Sequence, residues 1–425
     1  MNITVLGLWH LGCVTAACSA RHFPVKGLDF DAARIARLAD GAAPFHEPGL
    51  DERLREGVAA GRLRFTGDAE EACRGADILW VTIDTPVDEN DEADTAGVMR
   101  DIRRCVPLLP SGALVLLSSQ LPAGTCRQLE SEFSPAGYRF ACSPENLRLG
   151  QALACLENAD RIVAGCRDER TRTELDTLLR RFTNTIIWMR PESAEMTKHA
   201  LNAFLALSIT FMNEVARIGE SVGADAREVE RGLKSDNRIG PRAYVSPGAA
   251  FAGGTLARDV AALSRLAADR NLPLELIPAV KQSNDVHRRW PWEKIQRHFA
   301  GAAGIRIALL GLTYKPGTST LRRSAAVELA RTLKAGGFEV RASDPSQSAL
   351  PDELAFICLM PTVADATDGA DAAVLCTPWP EFRQADWPAI VARMRQPFLI
   401  DAGRFLESCV ADLPRIHYVT LGSPA

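Results

Sequence analysis

Short apolar runs that end in a turn and pass into a helical pattern recur along this chain. No other feature constrains its fold as much. Ile3 to Leu6 leads into GLWHLG and then into the small-residue stretch CVTAACSA. ADILWVTIDTPV stays apolar to Val81 and breaks at Asp84-Thr85-Pro86, and ALVLLSSQLPAGT breaks at Ser119-Gln120. FACSPENL places Glu145 just past another short strand. Strands that alternate with helices predict a parallel, doubly wound sheet, whose ligands sit at the carboxyl ends of the strands. Thr85 and Gln120 fall at such ends.

From Pro191 the pattern changes. Glu192 to Ile218 contains no Gly or Pro, and its apolar residues recur at helical spacing, which predicts one helix of about 27 residues. Such a helix between two α/β halves is a natural spine and dimer surface. Lys198 and Asn202 are four apart and share a face of it; read blandly, that face is simply solvated. Helical patterns continue to about residue 298, and a second α/β unit then begins with IRIALLGLTYKPGTSTLRRS, Ile305 to Leu310 being its first strand. ADAAVLCTPWPEF and FLIDAGRFL supply further strands. The expected fold is α/β: two Rossmann-like doubly wound domains, 1–190 and 300–425, joined by a long central helix and a helical dimerisation region, 191–299.

A length of 425 residues suits two or three domains. The net charge of −4 argues against a nucleic-acid or membrane-surface partner. No apolar run is long enough to span a bilayer. MNITVLGLWHLG enters a strand pattern without a basic leader region, so a cytoplasmic location is expected. The 11 cysteines lack C-x-x-C spacing, so neither a zinc site nor a disulfide framework is expected.

The first turn carries Gly7 and Gly12 at the outer places of a GxGxxG fingerprint, with Trp9 at the middle one. A glycine there normally lets a pyrophosphate approach the backbone, so Trp9 shifts that work toward the helix N-terminus. Asp29 ends the next strand, 17 residues after Gly12. A carboxylate there accepts bonds from ribose hydroxyls and repels a 2′-phosphate, which favours NAD over NADP. The plainer reading of Asp29 is a solvated strand-end residue.

Between Arg238 and Asp259 runs a long connection, RIGPRAYVSPGAAFAGGTLARD, rich in Gly, Pro and Ala. Loops this long inside a compact domain are usually functional. Gly253 and Gly254 let its backbone approach a ligand closely.

This stretch resembles the active-site loop of the UDP-glucose/GDP-mannose dehydrogenases, and the resemblance extends in order through nearly the whole chain. FHEPGLDERL, SPENL, AEMTKHALNAFLAL, RIGP, AFAGGTLARD, GLTYKPGT, CTPWPEF and DAGRF each look like a family segment. The resemblance implies an NAD-binding domain, a central dimerisation region and a C-terminal domain holding the nucleotide of a nucleotide sugar, a UDP-sugar in the first place. Glu145 then matches a catalytic carboxylate, and Lys198 and Asn202 match a substrate-binding, oxyanion-stabilising pair. Asp259 matches a carboxylate that orders a water, and Arg238 an arginine that reaches the neighbouring subunit's nucleotide site. Lys315 and Arg404 match residues that touch substrate from the C-terminal domain. Leu147, Tyr244, Phe251 and Gly253 join the implied substrate site. Trp9, His10, Leu11, Arg34, Thr85, Pro86 and Gln120 join Gly7, Gly12 and Asp29 in the implied cofactor site. No metal is implied.

The departures carry equal weight. Thr255 stands where the family's Cys attacks the aldehyde formed by the first oxidation. A hydroxyl is a much weaker nucleophile than a thiol unless an adjacent base activates it, and the loop holds no His. Gln120 replaces a Thr, Arg258 a Lys and Leu149 an acidic residue. Cys142 is the other thiol near Glu145, with a buried structural thiol as its plain reading. The expected activity is oxidation of a nucleotide-activated sugar without a thioester, stopping at the two-electron stage or oxidising the aldehyde hydrate directly. A catalytically silent relative that binds NAD or a nucleotide sugar is the alternative.

Overall fold

The computed structural model describes residues 1–85, 93–252 and 254–423. Two compact units divide the chain, Met1–Leu201 and Asn202–Ala425.

The first unit is built on eight strands: β1 (Ile3–Leu6), β2 (Val25–Leu28), β3 (Leu63–Thr66), β4 (Ile78–Val81), β5 (Leu114–Leu117), β6 (Arg139–Cys142), β7 (Ile162–Gly165) and β8 (Ile186–Met189). Their spatial order is β3-β2-β1-β4-β5-β6-β7-β8. The direction of winding therefore reverses between β1 and β4, which opens a crevice at the carboxyl ends of those two strands. Side chains alternate across the sheet as the pleat requires. On β5, Leu114 and Leu116 enter one apolar cluster while Val115 and Leu117 enter the other. Each face has its own core, which is why these strands read as continuous apolar runs.

The pairing of β6 with β7 is antiparallel, at Cys142 and Gly165, and all other neighbours are parallel. The sequence pattern did not announce this reversal, because a short apolar run carries no mark of strand direction.

Six strands make the second unit's sheet: β9 (Arg306–Leu310), β10 (Glu339–Ser343), β11 (Ile357–Leu359), β12 (Ala372–Leu375), β13 (Phe398–Ile400) and β14 (His417–Val419). They are parallel throughout, in the order β11-β10-β9-β12-β13-β14, with the winding reversal between β9 and β12. Ile307 and Leu309 face one cluster, Ala308 and Leu310 the other.

The spine helix spans Pro191–Val222, 32 residues. Proline at its first position needs no intrahelical donor. It does not stop before Gly219, as the sequence pattern suggested. Gly223 adopts φ +75°, and Ala224 N–H donates to Gly219 O at 3.0 Å, the bond of a Schellman-type end. A Cβ on Gly219 would stand 3.3 Å from Ala224 O, so glycine here permits the close return of the chain. Among the described residues, no helix is long and apolar enough to cross a membrane.

Candidate active site

At the first switch point, Gly7 has φ +92°, and a Cβ on it would lie 2.6 Å from Ile83. A Cβ on Gly12 would lie 1.7 Å from Gly7 O, so only glycine lets the helix His10–Ser19 pack this closely on the turn. Trp9, at φ −94°, needs no left-handed backbone and is accommodated. Its indole packs against Phe45, with ring centroids 5.7 Å apart, and lies under Arg34 at 5.3 Å. A cavity of about 400 Å³ opens here, lined by Gly7, Leu8, Trp9, Asp29, Arg34 and Asp84 among others.

Asp29 is no solvated strand-end residue, being 7% exposed. Its Oδ2 accepts from Leu8 N–H and from Arg34 Nη1, both at 2.7 Å, and its Oδ1 accepts from Asp31 N–H at 2.9 Å. A carboxylate has about four acceptor positions, so room remains on Oδ1 for one further donor. The glycine cradle, the crevice and this carboxylate fit an NAD adenosine and pyrophosphate. Thr85 is buried and Gln120 half-buried at the ends of their strands. Pro86 lies outside the described residues.

Beyond β6, Glu145 Oε1 lies 3.2 Å from Lys198 Nζ, and Glu145 Oε2 accepts from Leu147 N–H at 2.7 Å. The Lys198 side chain is only 10% exposed, so this turn of the spine helix is not a solvated face. The pair borders a cavity of about 360 Å³ that Leu11, Leu147, Arg148, Asn158 and Arg161 also line. Arg148, Asn158 and Arg161 escaped the sequence reading. Only Arg148 had a local signal there, as the neighbour of Leu147.

The same helical turn holds the loop that carries Gln120. Glu195 accepts from Gly124 N–H at 2.6 Å and from Cys126 N–H at 2.8 Å, which caps the helix Thr125–Phe133. Burial raises the Glu195 pKa. His199 Nε2 donates to Leu121 O at 3.1 Å. Cys142 is fully shut in, and burial pushes its thiol well up, with Glu195 adding to the effect. It is no nucleophile.

In the second unit, Asn202 Nδ2 donates to Asp259 Oδ2 at 2.5 Å, and Asp259 is wholly buried. Asp259 sits in the first turns of the helix Thr255–Ala268, which starts after Gly254 at φ +110°. Thr255 is exposed at the head of that helix.

Four side-chain bonds brace the loop before it. Asn213 Oδ1 accepts from Gly248 N–H at 3.0 Å, and His287 Nε2 donates to Gly248 O at 2.9 Å. Asn284 takes both backbone groups of Phe251, Oδ1 from its N–H at 2.9 Å and Nδ2 to its O at 3.0 Å. Phe251, expected against substrate, is also an anchor of the loop. Its ring is buried beside Ala203, Ala257 and Val260, and its backbone is spoken for. Asn213, Asn284 and His287 lie 35, 33 and 39 positions from the loop residues they hold, too far for the sequence to show the pairing.

Arg238 is 89% exposed along its side chain and paired with Asp236 at 2.7 Å, and Tyr244 is exposed. Lys315 lies 5.5 Å from the Tyr314 ring centroid. Arg404 is largely buried, with φ +56°, and its Nη2 donates to Asp225 Oδ2 at 3.0 Å. Gly253 lies outside the described residues. The structure thus joins Glu145 to Lys198 and Asn202 to Asp259, each pair within its own unit.

A dinucleotide-type turn on one doubly wound sheet, a second such sheet and a lysine–carboxylate pair define a dinucleotide-fold dehydrogenase. The chain belongs to the UDP-glucose/GDP-mannose dehydrogenase family. The family's NAD binding domain matches residues 1–183, its central domain 192–286 and its UDP binding domain 308–408. UDP-glucose 6-dehydrogenase of Pseudomonas aeruginosa is 34% identical over 100% of this chain and 98% of its own. UDP-glucose 6-dehydrogenase YwqF of Bacillus subtilis is 32% identical over 100% of this chain and 98% of its own. Among solved structures, a UDP-glucose dehydrogenase from Pyrobaculum islandicum superposes with a TM-score of 0.88 at 29% identity, covering 99% of this chain and 98% of that one. The chain is therefore an NAD-dependent oxidoreductase of the nucleotide-sugar dehydrogenase kind.

Proposed function

We propose that this chain oxidises a UDP-activated sugar at a carbinol carbon and releases the two-electron carbonyl product as its main course. The observation that carries this reading is Thr255 at the head of its helix, where the family resemblance places a Cys, in a chain that also keeps the Glu145–Lys198 and Asn202–Asp259 pairs. Bound NAD supplies the hydride acceptor. Lys198 stabilises the negative charge that develops on the carbinol oxygen, since a fixed positive group is worth most where charge develops. The hydroxyl proton passes to a water ordered by Asp259, or to Lys198 where that side chain enters the step as the neutral amine and becomes the positive group by accepting it. A hydrate of the aldehyde supports a slower second oxidation to the acid, which needs no covalent bond to the enzyme.

Domain roles follow: residues 1–190 hold NAD, 191–299 carry the spine and the Thr255 loop, and 300–425 hold the nucleotide. The working form is a homodimer built on the spine helix. Phe204, Phe211, Ile218 and Val222 are 64, 49, 65 and 73% exposed. Steps of seven, seven and four put them on one stripe, and an apolar stripe of this kind suits a second copy. All eleven cysteines are free, which suits a reducing, cytoplasmic compartment.

The test is a panel of nucleotide sugars with NAD, reading NADH per sugar consumed and trapping the product with a carbonyl reagent. No NADH from any member of the panel would overturn the reading in favour of a silent binder.

A further inference from the structure

Glu47 is a buried carboxylate outside the sites described so far, with a side chain only 1% exposed. Three donors converge on it. Gly150 N–H donates to Oε2 at 2.8 Å and Ala152 N–H to Oε1 at 2.8 Å. His10 Nε2 lies 3.2 Å from Oε2 and donates to it, since an ionised carboxylate only accepts. These donors come from two functional segments. Gly150 and Ala152 close the loop that begins with Glu145 and Leu147, whereas His10 is the first residue of the helix behind the Gly7–Gly12 turn.

The helix start separates two cavities. Trp9 lines the one at the switch point, and Leu11 and Thr15 line the one beside Glu145 and Lys198. His10 lies between Trp9 and Leu11, with its ring against Phe45 at 5.0 Å, edge on. Phe45 also carries the Trp9 indole. A displacement of the turn therefore moves His10, and Glu47 passes that movement to the backbone of the Glu145 loop.

We infer that His10 and Glu47 are positioning residues that couple occupancy of the cofactor turn to the set of the Glu145 loop. Neither needs to touch the reacting atoms. The inference rests on the cofactor and Glu145 placements proposed above. Its physical basis is that a buried carboxylate cannot shed a donor without penalty, so the three segments move together or not at all. Arg148, which borders the Glu145 cavity, lies within the loop so held.

The test is amide hydrogen exchange on the full chain, with NADH added alone and no sugar present. In the wild type, exchange at Gly150 and Ala152 should slow about tenfold on NADH binding, as expected for a shared local opening. His10→Phe keeps the ring against Phe45 but removes the donor, and should reduce that effect below about twofold when each protein is compared at its own saturating NADH concentration. Glu47→Gln puts an amide N–H toward one of its former donors and should abolish the effect. In parallel, NADH should tighten UDP-glucose binding at least about fivefold in the wild type and not in His10→Phe. A melting temperature unchanged in His10→Phe separates lost coupling from lost folding. Protection at the Gly7–Gly12 turn without any change at Gly150 and Ala152 would overturn the coupling and leave the dehydrogenase reading intact. Failure of NADH to bind at all would overturn both.

Discussion

Lys198 Nζ stands 3.2 Å from Glu145 Oε1, and this pair links the spine helix to the loop that follows β6. The ammonium is thereby held at the border of the cavity it shares with Leu147. Replacing Lys198 by Ala removes the group assigned to the developing oxyanion and should lower kcat by about 10²–10³-fold. Lys198→Arg keeps charge but not shape, and should recover only part of it. A Lys198→Ala enzyme within tenfold of wild type would remove Lys198 from the chemistry.

Asp29 and Arg34 are expected to set the cofactor preference together. The carboxylate occupies Arg34 Nη1 and, on the expected placement of NAD, faces where a 2′-phosphate would come. Wild type should prefer NAD. Asp29→Ser should weaken NAD binding about tenfold and bring NAD and NADP within about tenfold of each other, because the released Arg34 can then meet the phosphate. Losing the acceptor for Leu8 N–H should also lower stability by about 1–3 kcal/mol. Equal use of both cofactors by the wild type is the result that would reject this.

The sheets were legible because each buried strand is a continuous apolar run that ends in a turn. The spacing and the resemblance singled out Lys198, Asn202 and Asp259, which the structure finds in close polar pairs, Lys198 with Glu145 and Asn202 with Asp259. Glu47 was not, since its donors at Gly150 and Ala152 lie more than 100 positions away. The end of the spine helix was misread because Gly219 looks like a stop signal, whereas its role is to admit Ala224 against the helix. Sequence alone could not show that Asn284 takes both backbone groups of Phe251, 33 positions away.

Acid should loosen the start of the spine helix. Glu192 bonds to Arg167 and Arg127, and chiefly the Arg167 guanidinium lowers its pKa from 4.5 to about 2. A depressed carboxylate stabilises the fold above its unfolded pKa and loses that contribution as pH falls through the folded one. The loss should therefore run from about pH 5 down to about pH 2. Allowing for solvent screening, Glu192→Gln should lose about 1–2 kcal/mol at neutral pH and flatten the pH dependence across that window. Urea midpoints measured against pH check this, and a variant with an unchanged profile would dismiss the pair as a source of stability.

The exposed stripe on the spine helix makes a prediction about assembly. Phe211→Asp combined with Ile218→Asp places two charges on a surface proposed to be buried between copies. The double variant should sediment as a monomer at concentrations where the wild type is a dimer, with far-UV dichroism unchanged. Wild-type protein that is monomeric and fully active would refute the dimer.

On the proposed reading, Thr255 decides the product. It is exposed at the head of its helix, and the Cys142 thiol, the other candidate nucleophile, is sealed in the first unit's core with its pKa pushed well up. Neither residue is thus suited to trap the aldehyde as a thioester, while the proposed roles of Lys198 and Asp259 in the first hydride transfer do not depend on them. One NADH per sugar is the expected ratio, with a carbonyl product that an aldehyde or ketone reagent captures. Thr255→Val removes only the hydroxyl and should leave the first step within about tenfold, roughly 1.4 kcal/mol of barrier. Thr255→Cys should move the ratio toward two, because a thiol is the stronger nucleophile at neutral pH. A wild-type ratio of two that falls to one in Thr255→Val would mean that this threonine forms the covalent bond itself, and the two-electron reading would then be wrong.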